Sequence, residues 1–325
     1  LCPNVTRAGQ ACPRWGWRCR VGVAAKGARM QIKANGIFLD YQELGPKGGV
    51  PLILVRGLGS TMAHWPPGFA GAFAALGYRV VMFDNRDIGR SQRCPAPGVD
   101  GKAETILAQI AAGQAPTPAY LLQDMAADVV GLMDALGLEK AHVFGMSMGG
   151  GIAQLLAIHH AHRLLSATLV MTRPGFAGQG KLDDLLSYPG TEDEYVKTSL
   201  YWDQIWGNPG FPVTQDYVVD MARAAYARGV EADGANRQLL ATINAGDLRA
   251  HLPDVVLPCL VLHGAEDSLI PPEFGRQIAA LIPDAECHVI AGMGHTITPL
   301  VVPVLVGLMH EFYCRRVGAM GGAMR

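Results

Sequence analysis

Three residues of this sequence have the types and settings that acyl-transfer chemistry needs. Ser147 is the centre of a Gly-x-Ser-x-Gly motif at residues 145–149, which directly follows a short apolar run. Asp267 and His295 each follow a later apolar run. A serine hydroxyl is a poor nucleophile at neutral pH, so it needs a histidine as base and a carboxylate to orient that histidine. The chain order Ser147, Asp267, His295 therefore predicts nucleophile, acid and base for attack on a carbonyl carbon.

The residues around Ser147 predict a strand, a sharp turn and a helix. Residues 141–146 are apolar and rich in strand-forming types, and a helix-compatible segment runs from Gly149 to about His160. We expect a turn so tight that a Cβ at Gly145 or Gly149 would clash, which glycine avoids. The N-terminus of the helix offers free N–H groups and a positive dipole end to a developing oxyanion. This context indicates a nucleophile elbow, whereas the five-residue motif alone would not.

Neighbouring polar residues leave alternatives open. Glu266 precedes Asp267 and is a second candidate for the carboxylate, although the family motif described below favours Asp267. His263 ends a predicted buried strand, where a hydrogen-bonded core histidine is the commoner case. Three histidines within residues 159–162 lie at the end of the elbow helix, where imidazolium complements the helix dipole. No carboxylate or cysteine joins these histidines in the sequence, so we expect no metal site there.

Composition limits the class of protein. Half of the 325 residues are hydrophobic and 17% are charged, so a large core can form. The net charge of −1 gives no general attraction to nucleic acid, and no apolar run reaches the roughly 18 residues that span a bilayer. The seven scattered cysteines resemble neither a disulfide framework nor a zinc site. We expect a cytoplasmic protein that needs no cofactor and acts on a small molecule.

The two ends of the chain differ from its middle. Residues 1–29 carry six basic residues and no acidic one, with no apolar stretch of the length of a secretory signal. We expect this segment to be an upstream extension without ordered structure, with an organelle transit peptide as the lesser alternative. Met30 begins an ordinary domain start. Residues 315–325 are rich in glycine and are expected to be flexible.

Between the two ends, strands alternate with helices. Asn35-Gly36 between two alternating runs predicts a hairpin. Predicted strands cover 51–55, 78–83, 141–146, 165–170, 258–264 and 286–290, and predicted helices cover 68–76, 121–136, 149–160, 272–281 and 299–313. This alternation predicts an α/β fold with a doubly wound, mostly parallel sheet.

The alternation stops between residues 174 and 256. Three helices are predicted there, at 195–206, 215–228 and 236–248, and the first follows a capping-box sequence that begins at Thr191. We therefore expect a core of residues 30–173 and 257–314, interrupted by a helical cap at 174–256.

Three motifs resemble the α/β-hydrolase fold superfamily over about residues 30–314. They are Asp-Asn-Arg-Asp-Ile-Gly-Arg-Ser at 84–91, Gly-Met-Ser-Met-Gly-Gly at 145–150 and Gly-Met-Gly-His at 292–295. Together they are similar to aclacinomycin methylesterase-like serine esterases. The resemblance implies an esterase that works through an acyl-enzyme on Ser147 beneath a helical cap.

Other activities remain open. The same branch is similar to cofactor-free haloperoxidases and perhydrolases, and an acyltransferase could use the same three residues. A non-catalytic ligand-binding protein on this fold is a remote alternative. Dehalogenases and epoxide hydrolases of this fold carry an aspartate at the elbow, and Ser147 argues against both.

The resemblance also implies an oxyanion hole of two backbone amides. One is the amide of Met148, directly after the nucleophile, and the other is the amide of Leu58, in the glycine-rich turn after the strand at 51–55. Relatives often have His-Gly where this chain has Arg56-Gly57. A backbone donor survives that change, and Arg56 is expected to be structural, with contact to a carboxylate or a substrate group as the alternative.

Aromatic residues of the cap are expected to divide between its own core and the pocket over Ser147. We assign Trp202, Trp206, Gly57 and Met146 to substrate binding. A pocket with few charges favours small to medium, mainly apolar esters. In the motif at 84–91, the charged residues are expected to brace a loop near the site through ion pairs.

Overall fold

A computed structural model describes residues 4–5, 30–175, 185–188 and 190–316 of the chain. The expectations for the rest of residues 1–29 and for residues 317–325 lie outside the described residues.

The described strands form one sheet. They are β1 (Asn4–Val5), β2 (Met30–Ala34), β3 (Ile37–Leu44), β4 (Val50–Val55), β5 (Tyr78–Phe83), β6 (Ala141–Met146), β7 (Leu164–Val170), β8 (Cys259–Gly264) and β9 (Glu286–Ile290). Their order across the sheet is β1-β9-β8-β7-β6-β4-β5-β3-β2. β3 pairs antiparallel with β2 and with β5, and the other pairings of the described strands are parallel, so the predicted doubly wound, mostly parallel sheet is confirmed.

The order of the central strands decides where the site lies. β4 pairs with β5 on one side and with β6 on the other, so the chain reverses its winding direction at β4. Val55 at the end of β4 is in register with Gly145 near the end of β6. The loops that follow these two strands therefore lie side by side at the carboxyl edge, where doubly wound sheets bind ligands.

Helices cover both faces of the sheet. They are α1 (Phe69–Ala75), α2 (Ala103–Ala111), α3 (Leu122–Ala135), α4 (Met148–His159), α5 (Glu192–Trp206), α6 (Gln215–Gly229), α7 (Ala232–Ile243), α8 (Pro272–Leu281) and α9 (Val302–Arg316). Side chains of β4 alternate between two cores: Ile53 belongs to the core that includes residues of α3, α4 and α8, whereas Leu54 belongs to the core that includes residues of α1 and α9. This two-faced burial explains why β4 is an uninterrupted apolar run.

Three helices, α5, α6 and α7, lie between β7 and β8, where the sequence predicts the cap. We call them the helical insertion. Thr191 caps α5 as predicted, with its side chain accepting from the amide of Glu194. Assigning the insertion and the core to separate domains stays a prediction.

The boundaries of three helices differ most from the sequence prediction: α5 begins at Glu192 and not at Tyr195, and α7 and α9 differ at both ends. α7 spans Ala232–Ile243, because Asn244 caps its C-terminus and the chain then turns through Gly246 at φ 78°. Leu248, predicted to end this helix, instead donates its amide to the carbonyl of Pro174. α9 begins at Val302, after a turn in which the amide of Val301 bonds to Thr298. Among the described helices, none is long and apolar enough to cross a lipid bilayer.

Candidate active site

Ser147 occupies a strained turn between β6 and α4. Its backbone has φ 56° and ψ −120°, a region that non-glycine residues rarely adopt. A Cβ on Gly145 would overlap the carbonyl oxygen of Gly149, and a Cβ on Gly149 would overlap that of Val55. The predicted steric need for glycine at these two positions is confirmed.

Hydrogen bonds hold the strained turn in place. The amide of Ser147 donates to the carbonyl of Val170 across 2.9 Å. Its own carbonyl accepts from the amide of Gly150 at 2.8 Å and from Oγ1 of Thr172 at 2.9 Å. The end of β7 and the residues after it therefore fix the backbone from which the Ser147 hydroxyl projects.

The fold brings Ser147, His295 and Asp267 together in one hydrogen-bonded chain. Ser147 Oγ lies 3.1 Å from Nε2 of His295, and Nδ1 of His295 lies 2.7 Å from Oδ2 of Asp267. Asp267 and His295 are buried and Ser147 is half-buried. The three residues come from loops after β6, β8 and β9, which the parallel sheet places along one edge.

The ionisation of Asp267 fixes the tautomer of His295. Burial alone raises the pKa of Asp267, but the charge of His295 and hydrogen bonds from His263, His295 and the amide of Ile270 lower it to about 2. An ionised carboxylate can only accept, so Nδ1 of His295 carries the proton it donates. In the neutral imidazole, Nε2 is then free to accept the proton of the Ser147 hydroxyl.

Glu266 and His263, the neighbouring residues that the sequence analysis considered, occupy other positions. Oε2 of Glu266 accepts from the amide of Gly292 at 2.7 Å. His263 is fully buried and its Nε2 donates to the carbonyl of Ile270 at 2.8 Å. That nitrogen also lies 3.4 Å from Oδ2 of Asp267, so His263 supports the carboxylate from behind.

The helical insertion positions the loop that carries His295. The amide of His295 donates to the carbonyl of Trp206 at 2.8 Å, and the amide of Gly294 donates to Oδ1 of Asn208 at 2.6 Å. Asn208 also donates to the carbonyl of Thr296. No sequence pattern points to Asn208, because its partners lie 86 to 88 residues away.

Trp202 and Trp206, assigned from the sequence to substrate binding, stack on each other. Their ring centroids are 5.8 Å apart with 18° between the planes. Trp206 is half-buried, whereas Trp202 is exposed at 36%. The backbone of Trp206 already contacts the His295 loop, and contact between either side chain and substrate stays a prediction.

The turn after β4 lies against the nucleophile. A Cβ built on Gly57 would stand 3.1 Å from Cβ of Ser147 and 3.6 Å from its Oγ. Gln238 of α7 fixes this turn, because its Oε1 accepts from the amide of Gly59 at 2.9 Å. Leu58, between Gly57 and Gly59, is half-buried.

Met148, the other predicted oxyanion donor, is the first residue of α4. The N–H groups of a first helical turn have no acceptor within their own helix, so this amide is available to a ligand beside Ser147. The pairing of the Leu58 and Met148 amides in one oxyanion hole stays a prediction.

Arg56 has neither a carboxylate partner nor an exposed position in the described part of the chain. It is 8% exposed, its guanidinium carbon lies 4.6 Å from the ring centroid of Trp65, and Nη1 contacts Sδ of Met146 at 3.4 Å. Met146, assigned from the sequence to substrate binding, is itself buried. The alternative contact between Arg56 and a neighbouring carboxylate is therefore not found among the described residues.

Ion pairs brace the loop at residues 84–91, as the sequence predicted. Asp87 binds Arg237 of α7 with 2.7 Å between Oδ1 and Nη2. Arg86 binds Asp128 of α3 with 2.6 Å between Nε and Oδ2. Both pairs are buried, and the first ties the helical insertion to the sheet edge.

The sheet order, the strained serine turn and the chain from Ser147 to Asp267 define a hydrolase of the α/β class. The family model described as the alpha/beta hydrolase fold matches residues 50–298, and the chain belongs to this family. The resemblance drawn from the sequence is thus confirmed for the superfamily.

Two relatives and one solved structure show the range of similar proteins. The chain is 31% identical over 271 residues to RutD of Caulobacter segnis, provisionally named a carbamate hydrolase, covering 81% of this chain and 91% of that protein. It is 27% identical over 299 residues to rhodomycin D methylesterase DnrP of Streptomyces peucetius, covering 83% and 93%. A hydrolase structure from Pseudomonas aeruginosa PA01 superposes with a TM-score of 0.65 at 24% identity, over 90% of this chain and 100% of that one. The chain is accordingly an enzyme of the hydrolase class.

Proposed function

We propose that this hydrolase cleaves carboxylic esters through an acyl-enzyme on Ser147. The observation that carries the proposal is the hydrogen-bonded chain from Ser147 Oγ through His295 to Asp267, with separations of 3.1 and 2.7 Å. This chain supplies a nucleophile, a base in the required tautomer and an ionised carboxylate.

The proposed reaction has two halves. His295 Nε2 takes the proton as Ser147 Oγ attacks the ester carbonyl, and the tetrahedral oxyanion accepts hydrogen bonds from the Leu58 and Met148 amides. His295 then gives the proton to the leaving alcohol. In the second half, water attacks the acyl-enzyme with His295 as the base, and the acid is released. Asp267 stabilises the imidazolium in both halves.

The proposed substrates are small to medium esters with mainly apolar groups. Met146 and Gly57 lie beside the nucleophile, and the aromatic residues of the helical insertion supply apolar surface near it. The insertion would act as a cap over Ser147. We also propose a cytoplasmic location and no requirement for a metal or cofactor.

A series of p-nitrophenyl esters with increasing acyl length tests the proposal. We expect hydrolysis of short and medium chains by the wild type and a loss of several orders of magnitude in kcat for Ser147→Ala. Thr198→Ala is the control, because the exposed Thr198 hydroxyl donates to the carbonyl of Glu194 in its own helix. Equal turnover by wild type and Ser147→Ala would exclude the mechanism.

Two further measurements separate the alternatives. If a perhydrolase or acyltransferase reaction dominates, peroxide or an added alcohol will capture the acyl group faster than water does. Failure of a serine-directed fluorophosphonate to label Ser147 would favour a non-catalytic ligand-binding protein.

A further inference from the structure

Arg56 is a buried cation beside the nucleophile that lacks an anionic partner in the described residues. Among the described residues, its buried Nε has no hydrogen-bond acceptor, and its side chain makes one hydrogen bond, from Nη1 to the thioether of Met146. Burial lowers the pKa of Arg56 to about 10, so the side chain still carries its charge at neutral pH. A buried charge is normally paired, because desolvation of an unpaired one is costly.

The groups around Arg56 do not neutralise it. The face of Trp65 contacts the guanidinium and offsets only part of the lost hydration. Tyr217 and Tyr195 are the titratable neighbours that raise the pKa of Arg56. Burial raises the pKa of both phenols to about 12. Both phenols are therefore neutral under the conditions in which the enzyme would work. Burial also lowers the pKa of nearby His64 to about 3, so this imidazole is neutral too.

The same cluster contains further unpaired donors. Nε1 of Trp65 and the hydroxyl of Tyr217 are buried and have no hydrogen-bond partner among the described residues. Together with Nε of Arg56, three buried groups that can donate a hydrogen bond lack an acceptor. Buried polar groups are rarely left unsatisfied, and a group of such donors around one cation fits an anionic acceptor with two oxygens.

The cluster lies between the elbow and the helical insertion. Met146, which Arg56 contacts, directly precedes Ser147, and Gly57, which follows Arg56, faces the Ser147 side chain. Tyr195 and Tyr217 belong to α5 and α6, so the insertion closes the other side. A group bound to Arg56 would therefore belong to a molecule whose reacting carbonyl is at Ser147.

We infer that Arg56 binds an ionised carboxylate of the substrate, so that the preferred esters carry one anionic end. This inference rests on the proposed esterase function and narrows its substrate class to half-esters of dicarboxylic acids. The guanidinium fork pairs with both carboxylate oxygens, and the Tyr217 hydroxyl supplies an additional donor. Arg56 then acts as a specificity residue, and the pocket stays apolar around the chain that links the two carbonyl groups.

A pair of substrates of matched shape tests the inference. Mono-p-nitrophenyl glutarate carries a terminal carboxylate, and p-nitrophenyl 5-oxohexanoate carries a methyl ketone in its place. We expect the wild type to favour the glutarate ester in kcat/KM, and Arg56→Met to lower the ratio of the two kcat/KM values by about 100-fold. Arg56→Lys keeps the charge without the planar fork and is expected to lower the ratio by about tenfold. Arg276→Met, at an exposed position on α8, is the control and should leave the ratio unchanged.

The results that would reject the role of Arg56 differ from those that would reject the proposed esterase function. If the wild type hydrolyses both esters without favouring the glutarate ester, the inference fails and the esterase proposal stands. Equal losses for both substrates in Arg56→Met would show that Arg56 supports the elbow and not the substrate. If neither ester is hydrolysed and fluorophosphonate does not label Ser147, the esterase proposal itself fails.

Two measurements without turnover complete the test. Calorimetric titration of Ser147→Ala with monomethyl glutarate should show binding that disappears in Ser147→Ala/Arg56→Met. Thermal unfolding of Arg56→Met should give a Tm equal to or above that of the wild type, because a buried unpaired charge has been replaced by an apolar side chain. A fall in Tm of about 5 °C or more would indicate that a carboxylate of the chain itself pairs with Arg56, and would overturn the inference.

Discussion

Nε of Arg228 lies 2.8 Å from Oδ2 of Asp84. This ion pair joins α6 of the helical insertion to the loop after β5. Asp84 is fully buried, and its other contacts are the amides of Met62 and Arg90. Arg228 also binds the buried Asp40 of β3 through Nη2 at 2.5 Å. One arginine of the insertion thus binds two buried carboxylates, one in β3 and one directly after β5.

Removal of Arg228 is predicted to destabilise the protein strongly. Arg228→Leu leaves Asp40 and Asp84 buried without their cation, and breaking a buried pair costs about 3–5 kcal/mol. We expect the free energy of unfolding, measured with urea, to fall by about that amount. Arg228→Lys keeps the charge but cannot span both carboxylates as the guanidinium does, so we expect an intermediate loss.

The control for this prediction is an exposed ion pair. Arg276 and Glu273 lie on the surface of α8, with 42% and 65% of their side chains exposed. Arg276→Leu is expected to change the free energy of unfolding by about 0.5 kcal/mol or less. Similar effects of Arg228→Leu and Arg276→Leu would contradict the bracing role of Arg228.

Of the pair formed by Asp84 and Arg228, the sequence predicted the role of Asp84 only. It identified residues 84–91 as a braced loop near the site, because charged residues there follow a buried strand. It could not identify Arg228, which lies 144 residues further along the chain and meets Asp84 only when the insertion packs on the sheet edge. A pair of this kind has no local signal, since neither periodicity nor spacing connects its members.

The elbow could be predicted from local sequence, whereas the environment of Arg56 could not. Steric demands within residues 145–149 are local, so the glycine positions and the strained serine could be derived from the sequence. The setting of Arg56 depends on Trp65, Tyr195 and Tyr217, which come from three different elements. That no carboxylate of the described residues pairs with Arg56 can be seen only in the folded chain.

Two adjacent carboxylates should differ sharply in their importance for activity. Asp267 contacts His295 at 2.7 Å, whereas Glu266 bonds to the amide of Gly292. Asp267→Asn leaves an amide that cannot fix the tautomer of His295, so we expect kcat to fall by about 10³–10⁴-fold. Glu266→Gln is expected to lower it by less than about threefold.

We would measure kcat of both variants by steady-state kinetics, with a p-nitrophenyl ester that the wild type hydrolyses. A larger loss in Glu266→Gln than in Asp267→Asn would exchange the assigned roles of these neighbours.

Acid is predicted to remove stability that Asp267 contributes. Its pKa is about 2 in the folded protein against 3.8 when unperturbed, so the ionised form is favoured by folding. A group with a lowered folded pKa stabilises the protein above its unfolded pKa, and this contribution of about 2 kcal/mol is lost as the pH falls from about 4 to 2. Urea unfolding at several pH values should show a smaller acid-induced loss in Asp267→Asn than in the wild type over that range. Parallel curves for the two proteins would argue against the lowered pKa.

The steric requirement of the elbow predicts opposite effects for two Gly→Ala changes. A Cβ on Gly149 would overlap the carbonyl oxygen of Val55 and come within 2.7 Å of that of Arg56, so α4 and the end of β4 must move apart. We expect Gly149→Ala to cost about 1–3 kcal/mol of stability and to lower kcat/KM by about 100-fold, because the Ser147 hydroxyl shifts relative to His295. A Cβ on Gly71 of α1 meets nothing within 4 Å, and Gly71→Ala should stabilise the helix by about 0.5–1 kcal/mol without loss of activity. If Gly149→Ala behaves like Gly71→Ala in urea unfolding and in ester hydrolysis, the elbow tolerates a side chain and the steric argument fails.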